Sequence, residues 1–178
     1  MNFIAVIVLS FFLAPQGGLQ LTSSDFSNNQ AIAAEHSCDG AGTSEALSWS
    51  GLPEGTRSLA LVLFDPDARP PRGFVHWVVY DIPATVTGIP SGKYSEAQLP
   101  MGGVEGNNGR GTLGFIPSCP PAADAAHHYT FTLYALSVPS LGLAPGATRD
   151  EVLAAIKGKT LGEATLVGLY KRAPKPAL

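Results

Sequence analysis

Residues 58–64, Ser-Leu-Ala-Leu-Val-Leu-Phe, form a continuous apolar stretch bounded by Gly55 on one side and by an Asp65-Pro66 break on the other. An apolar run of this length with no polar face predicts a strand buried on both sides. His76 to Ile82 and Tyr129 to Leu136 follow the same logic, Leu19 to Thr22 reads as a first strand, and Leu161 to Tyr170 as a loosely alternating last one. One helix is predicted: Thr148 caps it, Arg149-Asp150-Glu151 fill its first turn, and Val152, Leu153 and Ile156 give it an apolar face that ends before Gly158. Residues 101–121 are so rich in Gly, Asn and Pro that no regular structure is expected there, and a loop that long is usually functional or disordered. With 20 Gly and 15 Pro breaking the chain into short extended runs, the pattern predicts one mostly-β domain over residues 19–178.

The first fourteen residues are nearly all apolar and uncharged. That is short for a membrane span and about right for the apolar part of a signal peptide, so residues 1–18 read as a hydrophobic leader and the protein as exported, periplasmic or secreted, with no transmembrane span once mature. No Lys or Arg precedes the run and no small-x-small cleavage site precedes Pro15, which leaves an uncleaved anchor or a misplaced start as alternatives.

Composition narrows the function classes. A hydrophobic content of 45% with 14% charged residues is enough to build a core. A formal charge of -3 without a dense basic run offers no footprint for nucleic acid or an anionic membrane surface, so any anion must be bound locally. Only Cys38 and Cys119 are present. They permit one disulfide in an oxidising compartment, worth about 4 kcal/mol by chain entropy, or else two buried thiols. Without CxxC spacing they do not point to structural zinc.

Two histidines enter strands at comparable places, His76 after the Asp65-Pro66-Asp67 turn and His127 after Cys119-Pro120-Pro121. Strand alternation places His127, Tyr129 and Phe131 on one face and His128, Thr130 and Thr132 on the other. The same rule places His76 with Val78 and Tyr80, opposite Trp77 and Val79. Trp49, Trp77, Phe64 and Phe131 are expected in the core. Taken alone, Asp65-Pro66-Asp67 is adequately explained as a turn whose carboxylates accept backbone N–H groups.

Taken together, Ser37-Cys38-Asp39-Gly40, residues 47–53, Asp65-Pro66-Asp67-Ala68, His76-Trp77-Val78-Val79, residues 108–115, Cys119-Pro120-Pro121 and His127-His128-Tyr129 resemble the phosphatidylethanolamine-binding protein family, in its prokaryotic Raf-kinase-inhibitor-like branch. The resemblance runs in order from about Leu19 to Tyr170. It implies a two-sheet antiparallel β-sandwich with a few peripheral helices and a small pocket for phosphate-like, phospholipid-headgroup or carboxylate anions. Carried over residue by residue, the pocket holds Asp65, His76, Pro121, His127 and Tyr129, with Phe74 at its mouth.

The chain departs from the family in places. Gly114-Phe115-Ile116-Pro117-Ser118 replaces a usual Gly-Tyr-x-Gly-Pro and so lacks a phenol hydroxyl, and Arg69 is inserted between Ala68 and Pro70. These changes bear on the ligand more than on the fold.

In such a pocket two imidazoles and a phenol can donate up to three hydrogen bonds to an oxyanion, while Asp65 accepts from one imidazole and fixes its tautomer. The reading is a non-catalytic binding protein with no catalytic residue, metal or cofactor, taking a phosphate-like or carboxylate small molecule. It also allows the protein to regulate or inhibit a partner protein. Two alternatives stand beside it: a hydrolase using His127 or His76 with Asp65 on Ser118 or on a bound metal, and an inhibitor of a secreted protease.

Overall fold

The computed structural model describes residues 18–69 and 71–173. The expected leader therefore lies, except for Gly18, outside the described residues. The ordered elements are β1 (Gln20–Ser23), β2 (Gln30–Ala31), β3 (Leu47–Ser50), β4 (Ser58–Asp65), β5 (Phe74–Pro83), β6 (Gly88–Ile89), β7 (Val104–Glu105), β8 (His127–Leu136), α1 (Arg149–Ala155) and β9 (Thr160–Tyr170). They form a three-stranded sheet, β1-β3-β6, and a six-stranded sheet, β2-β9-β8-β4-β5-β7. Every pairing is antiparallel except β2 with β9. The fold is the mostly-β, two-sheet architecture expected.

The core explains why the strands read so differently in sequence. Leu21, Leu47 and Trp49 of the small sheet face Leu61, Trp77, Phe131 and Leu166 of the large one. The outer face of the large sheet is also covered, where Ala60, Val78 and Tyr80 pack with Val152 and Ile156 of α1 and its flank. β4 is thus sandwiched from both sides, which is why its sequence is apolar throughout, whereas β8 alternates buried and less buried positions. Each large side chain removed completely from water contributes about 1.5–3 kcal/mol. Phe64, expected in the core, is only half-buried and carries the Arg149 guanidinium over its ring at 4.4 Å.

α1 begins as its sequence dictates. The Thr148 hydroxyl accepts from the Glu151 N–H at 3.3 Å, and the Thr148 N–H donates to the Glu151 carboxylate at 2.7 Å, a reciprocal capping box.

Two expectations need correction. Residues 101–121 are not devoid of regular structure, since they contribute β7, which pairs with β5, and an Asn107–Leu113 bridge. Backbone pairing at the sheet edge overrides the poor local propensity of the segment. The sequence pattern also leaves β2, β3 and β6 unmarked; each is four residues or fewer, too short to show a period.

The second correction concerns His76. The β4–β5 register shifts between Leu63, which faces Trp77, and Phe64, which faces Val75, so His76 is the extra residue of a β-bulge. The bulge turns His76 to the same side as Trp77, away from Val78 and Tyr80. Its ring lies edge-on to that of Tyr129, with centroids 5.1 Å apart.

Candidate functional site

β4 ends at Asp65, whose buried carboxylate organises the turn that follows. Oδ1 accepts the backbone N–H groups of Asp67 and Ala68 at 2.9 and 3.1 Å. Oδ2 accepts from His127 Nδ1 at 2.8 Å, across 62 residues of sequence. An outer copy of this pairing lies beside it: Asp67 Oδ2 accepts both the backbone N–H and the ring Nδ1 of His128 at 2.8 Å. Consecutive histidines on opposite faces of β8 are thereby held by two aspartates that flank Pro66. The alternation of β8 aims His127 inward and His128 outward, as expected.

All six residues carried over by the resemblance, Asp65, Phe74, His76, Pro121, His127 and Tyr129, line one cavity of about 270 Å³. That is just below the range of about 300–1,000 Å³ for drug-sized ligands, and so suits a small group.

The two imidazoles differ in state. His76 donates from Nδ1 to the Ile116 carbonyl at 2.8 Å, and the Ile116 N–H returns a bond to the His76 carbonyl at 2.9 Å. A carbonyl only accepts, so Nδ1 carries the proton. Burial holds this imidazole below its usual range, against the opposing pull of the Ile116 carbonyl and the Asp65 charge. His76 is therefore neutral at pH 7, with a lone pair on Nε2, and is not the donor expected from sequence.

For His127, burial pulls downward, but the Asp65 carboxylate, helped by Asp124 at 3.4 Å from Nε2, outweighs it and leaves the imidazole above its ordinary value.

Tyr129 is fully buried, and its hydroxyl makes no hydrogen bond of acceptable geometry. Burial, and then the Asp65 charge, push the phenol up, while the Ser118 hydroxyl and Cys119 backbone lie close enough to oppose this slightly. Phe74 is half-buried and lines the cavity with its ring edge-on to His76, centroids 4.9 Å apart.

The wall formed by residues 116–121 contains three prolines, which lack N–H donors. Its anchorage comes instead from the Cys38–Cys119 disulfide, with Cα atoms 5.4 Å apart, and from the Cys38 N–H on the Ser118 carbonyl at 3.0 Å. Phe115, where the family's phenol is missing, packs edge-on against Trp77 at 5.6 Å rather than into the cavity.

Sequence reasoning missed the three further charged residues of the cavity, Arg69, Arg110 and Asp124. The two arginines were within reach of it, as the inserted residue of one turn and the lone cation of a glycine-rich loop. In formal charge, Arg69 and Arg110 balance Asp65 and Asp124, so protonating His127 makes the cavity net positive. Among the described residues, no group of three or more His, Cys, Asp or Glu is placed to hold a metal ion, and no helix is long and apolar enough to cross a membrane.

Comparisons with known proteins bear on the family and the fold. The sequence profile described as phosphatidylethanolamine-binding protein matches residues 22–171. A UPF0098 protein of Methanothermobacter thermautotrophicus is 43% identical over 154 residues, covering 86% of this chain and 99% of the relative. A Mycobacterium tuberculosis relative that carries a lipoprotein name, LppC, is 41% identical over 155 residues, covering 86% of this chain and 72% of its own. The crystal structure of Escherichia coli YbcL, described as a member of the mammalian PEBP family, superposes with a TM-score of 0.79 at 33% identity, covering 88% of this chain and 99% of YbcL. With the profile spanning most of the sequence and the fold shared with a solved relative, the chain belongs to the phosphatidylethanolamine-binding protein family.

Proposed function

We propose that this is a non-catalytic binding protein whose cavity takes a small oxyanion, phosphate-like or carboxylate. One observation carries the reading: the buried Tyr129 hydroxyl, which makes no hydrogen bond of acceptable geometry among the described residues, sits beside a neutral His76 whose Nε2 likewise makes none. A buried hydroxyl left unpaired costs about 1–3 kcal/mol, which a bound acceptor recovers. An oxyanion fits both groups: one oxygen accepts from Tyr129, and a second shares a proton with His76 Nε2. That proton comes from the ligand or from the imidazole; a carboxylate or a fully ionised phosphate monoester has none of its own, so its complex takes one up and its affinity falls as pH rises.

Binding is favoured over hydrolysis by where the imidazole nitrogens go. His127 faces carboxylates with both nitrogens, His76 gives Nδ1 to a carbonyl, and neither bonds a hydroxyl or thiol among the described residues. Ser118, the candidate nucleophile, is buried. A role toward a partner protein is secondary, because Leu161 is the one large hydrophobic side chain exposed among the described residues. Export is supported by the uncharged N-terminal stretch, by the disulfide and by the lipoprotein name of one relative.

Calorimetric titration with phosphate and with phosphoethanolamine tests the reading. Heat of binding should appear with both, and the affinity it reports should weaken for phosphoethanolamine from mildly acid to mildly basic pH and drop about tenfold in Tyr129→Phe, the equivalent of one charge-assisted hydrogen bond. No heat with either ligand, or turnover in an esterase and phosphatase screen, would overturn it.

A further inference from the structure

Phe74 brings two cations to the same opening. The Arg69 guanidinium lies over its ring, 5.5 Å from the centroid. Gly109 packs against that ring so closely that a Cβ there would come within 2.6 Å of it, and Arg110 is the next residue. Any larger residue at 109 would push the Arg110 loop off the mouth.

Both backbones are braced. Arg69 has a φ of +48°, in the left-handed region that a non-glycine residue keeps only where its surroundings hold it. The Asp65 carboxylate fixes the turn just before it through the N–H groups of Asp67 and Ala68. The Arg110 N–H donates to Asn108 Oδ1 at 3.0 Å, and buried Asn108 is tied in turn to the Gly114 carbonyl at 3.0 Å. Neither guanidinium forms an ion pair among the described residues, although the same loops carry carboxylates. A single exposed arginine is ordinarily just solvated. Two that arrive from different loops at one cavity, with no carboxylate partner, are placed for an anion.

Building on the anion-pocket reading, we propose that Arg69 and Arg110 are specificity residues that select a terminal phosphoryl group, free phosphate or a phosphate monoester, over a phosphodiester or a carboxylate. The argument is a count of donors. Tyr129 and the proton shared with His76 serve two oxygens, which is all the anionic oxygen a carboxylate or a phosphodiester has. A terminal phosphoryl group has a third oxygen and a charge of about -1.5 to -2 at pH 7. That oxygen faces the mouth, where guanidinium forks match phosphate geometry and lysine would supply only a point charge.

The test is calorimetry on the full chain with sn-glycerol 3-phosphate, glycerophosphoethanolamine and acetate. The monoester should bind at least about tenfold tighter than the diester or acetate, the effect of one charge-assisted contact. In Arg69→Ala/Arg110→Ala, with an unchanged unfolding midpoint, that preference should collapse to within about threefold, the monoester losing more affinity than the diester. Arg110→Lys should lose part of the preference and keep the charge. Flotation with phosphatidylcholine vesicles doped with phosphatidic acid distinguishes a lipid from a soluble source of the same phosphoryl group, and binding in either arm supports the class. Equal affinity for monoester and diester, or a preference that survives in the double variant, overturns the role of the arginines and leaves the pocket reading standing. No binding of any of the three ligands or of inorganic phosphate removes both.

Discussion

Asp65 and Glu45 are both withdrawn from solvent, at 2% and 0% exposure, yet Asp65 accepts three hydrogen bonds and Glu45 none. Glu105 falls between them, with Oε2 accepting the Trp77 indole N–H at 2.9 Å and Oε1 unpartnered. Burial pushes Glu105 up to about 7 despite the indole, and Glu45 up to about 8. For Glu45 its own backbone N–H, out of hydrogen-bond geometry, opposes the rise only in part, and the Asp25 charge adds to it. The difference is one of donor supply. Asp65 sits where a strand breaks into a turn and leaves N–H groups free, whereas the donors next to Glu45 are already engaged: Ala46 N–H binds Asp25 and Ser44 N–H binds the Gly92 carbonyl. The cavity end of the molecule therefore holds its carboxylate in a network that orients an imidazole, and the region below β3 holds a neutral acid.

The largest effect that would break this contrast is at Asp65. Asp65→Ala strands two backbone donors and a histidine, and should cost about 3–5 kcal/mol in chemical denaturation. A loss below about 1 kcal/mol would mean that Asp65 is no better served than Glu45.

Next is the pH dependence. A buried acid whose value is raised on folding keeps its proton while the unfolded chain has lost it, so stability declines as pH rises from about 4.5, the ordinary carboxyl value. Both groups contribute up to about 7 and Glu45 alone continues to about 8. Each adds up to about 1.4 kcal/mol per pH unit. His127, raised in the fold, acts in the same direction above its ordinary value of 6.5, and His76, lowered, loses stability as pH falls through 6.5. Subtracting the unfolding curve of Glu45→Gln/Glu105→Gln from that of the parent isolates the two carboxyls. A flat difference curve would sink the neutral-acid account.

Smaller effects sharpen it. Glu45→Met replaces an unpartnered acid with a group of similar shape and should stay within about 2 kcal/mol of the parent, or exceed it, at pH 8. Glu105→Gln keeps an acceptor for the Trp77 indole and should change stability at pH 5 by no more than about 1 kcal/mol, read from the unfolding midpoint.

Much of the site was legible because local chemistry dictated it. The Asp65-Pro66-Asp67 turn, the inward aim of His127 and the outward aim of His128 follow from turn residues and the two-residue period of a strand. His76 was misread because a bulge breaks that period, and a bulge arises from how β5 registers on β4, which no feature of residues 74–83 announces. Arg69 and Arg110 were passed over for a related reason: a lone arginine in a loop carries no sign of which cavity it borders. The Thr148 cap was read correctly because donor and acceptor lie three residues apart.

By itself the sequence determined which segments are strands buried on one face or two, where the helix starts, and that a histidine follows each of two turns, since these depend on neighbours within a few residues. Only the tertiary structure decided which side His76 faces, that residues from β4, β5, β8 and two loops surround one cavity, and which buried carboxyls receive donors. Those outcomes depend on groups as far apart in the chain as Asp65 and His127, and the distance between such groups is fixed by packing, not by spacing.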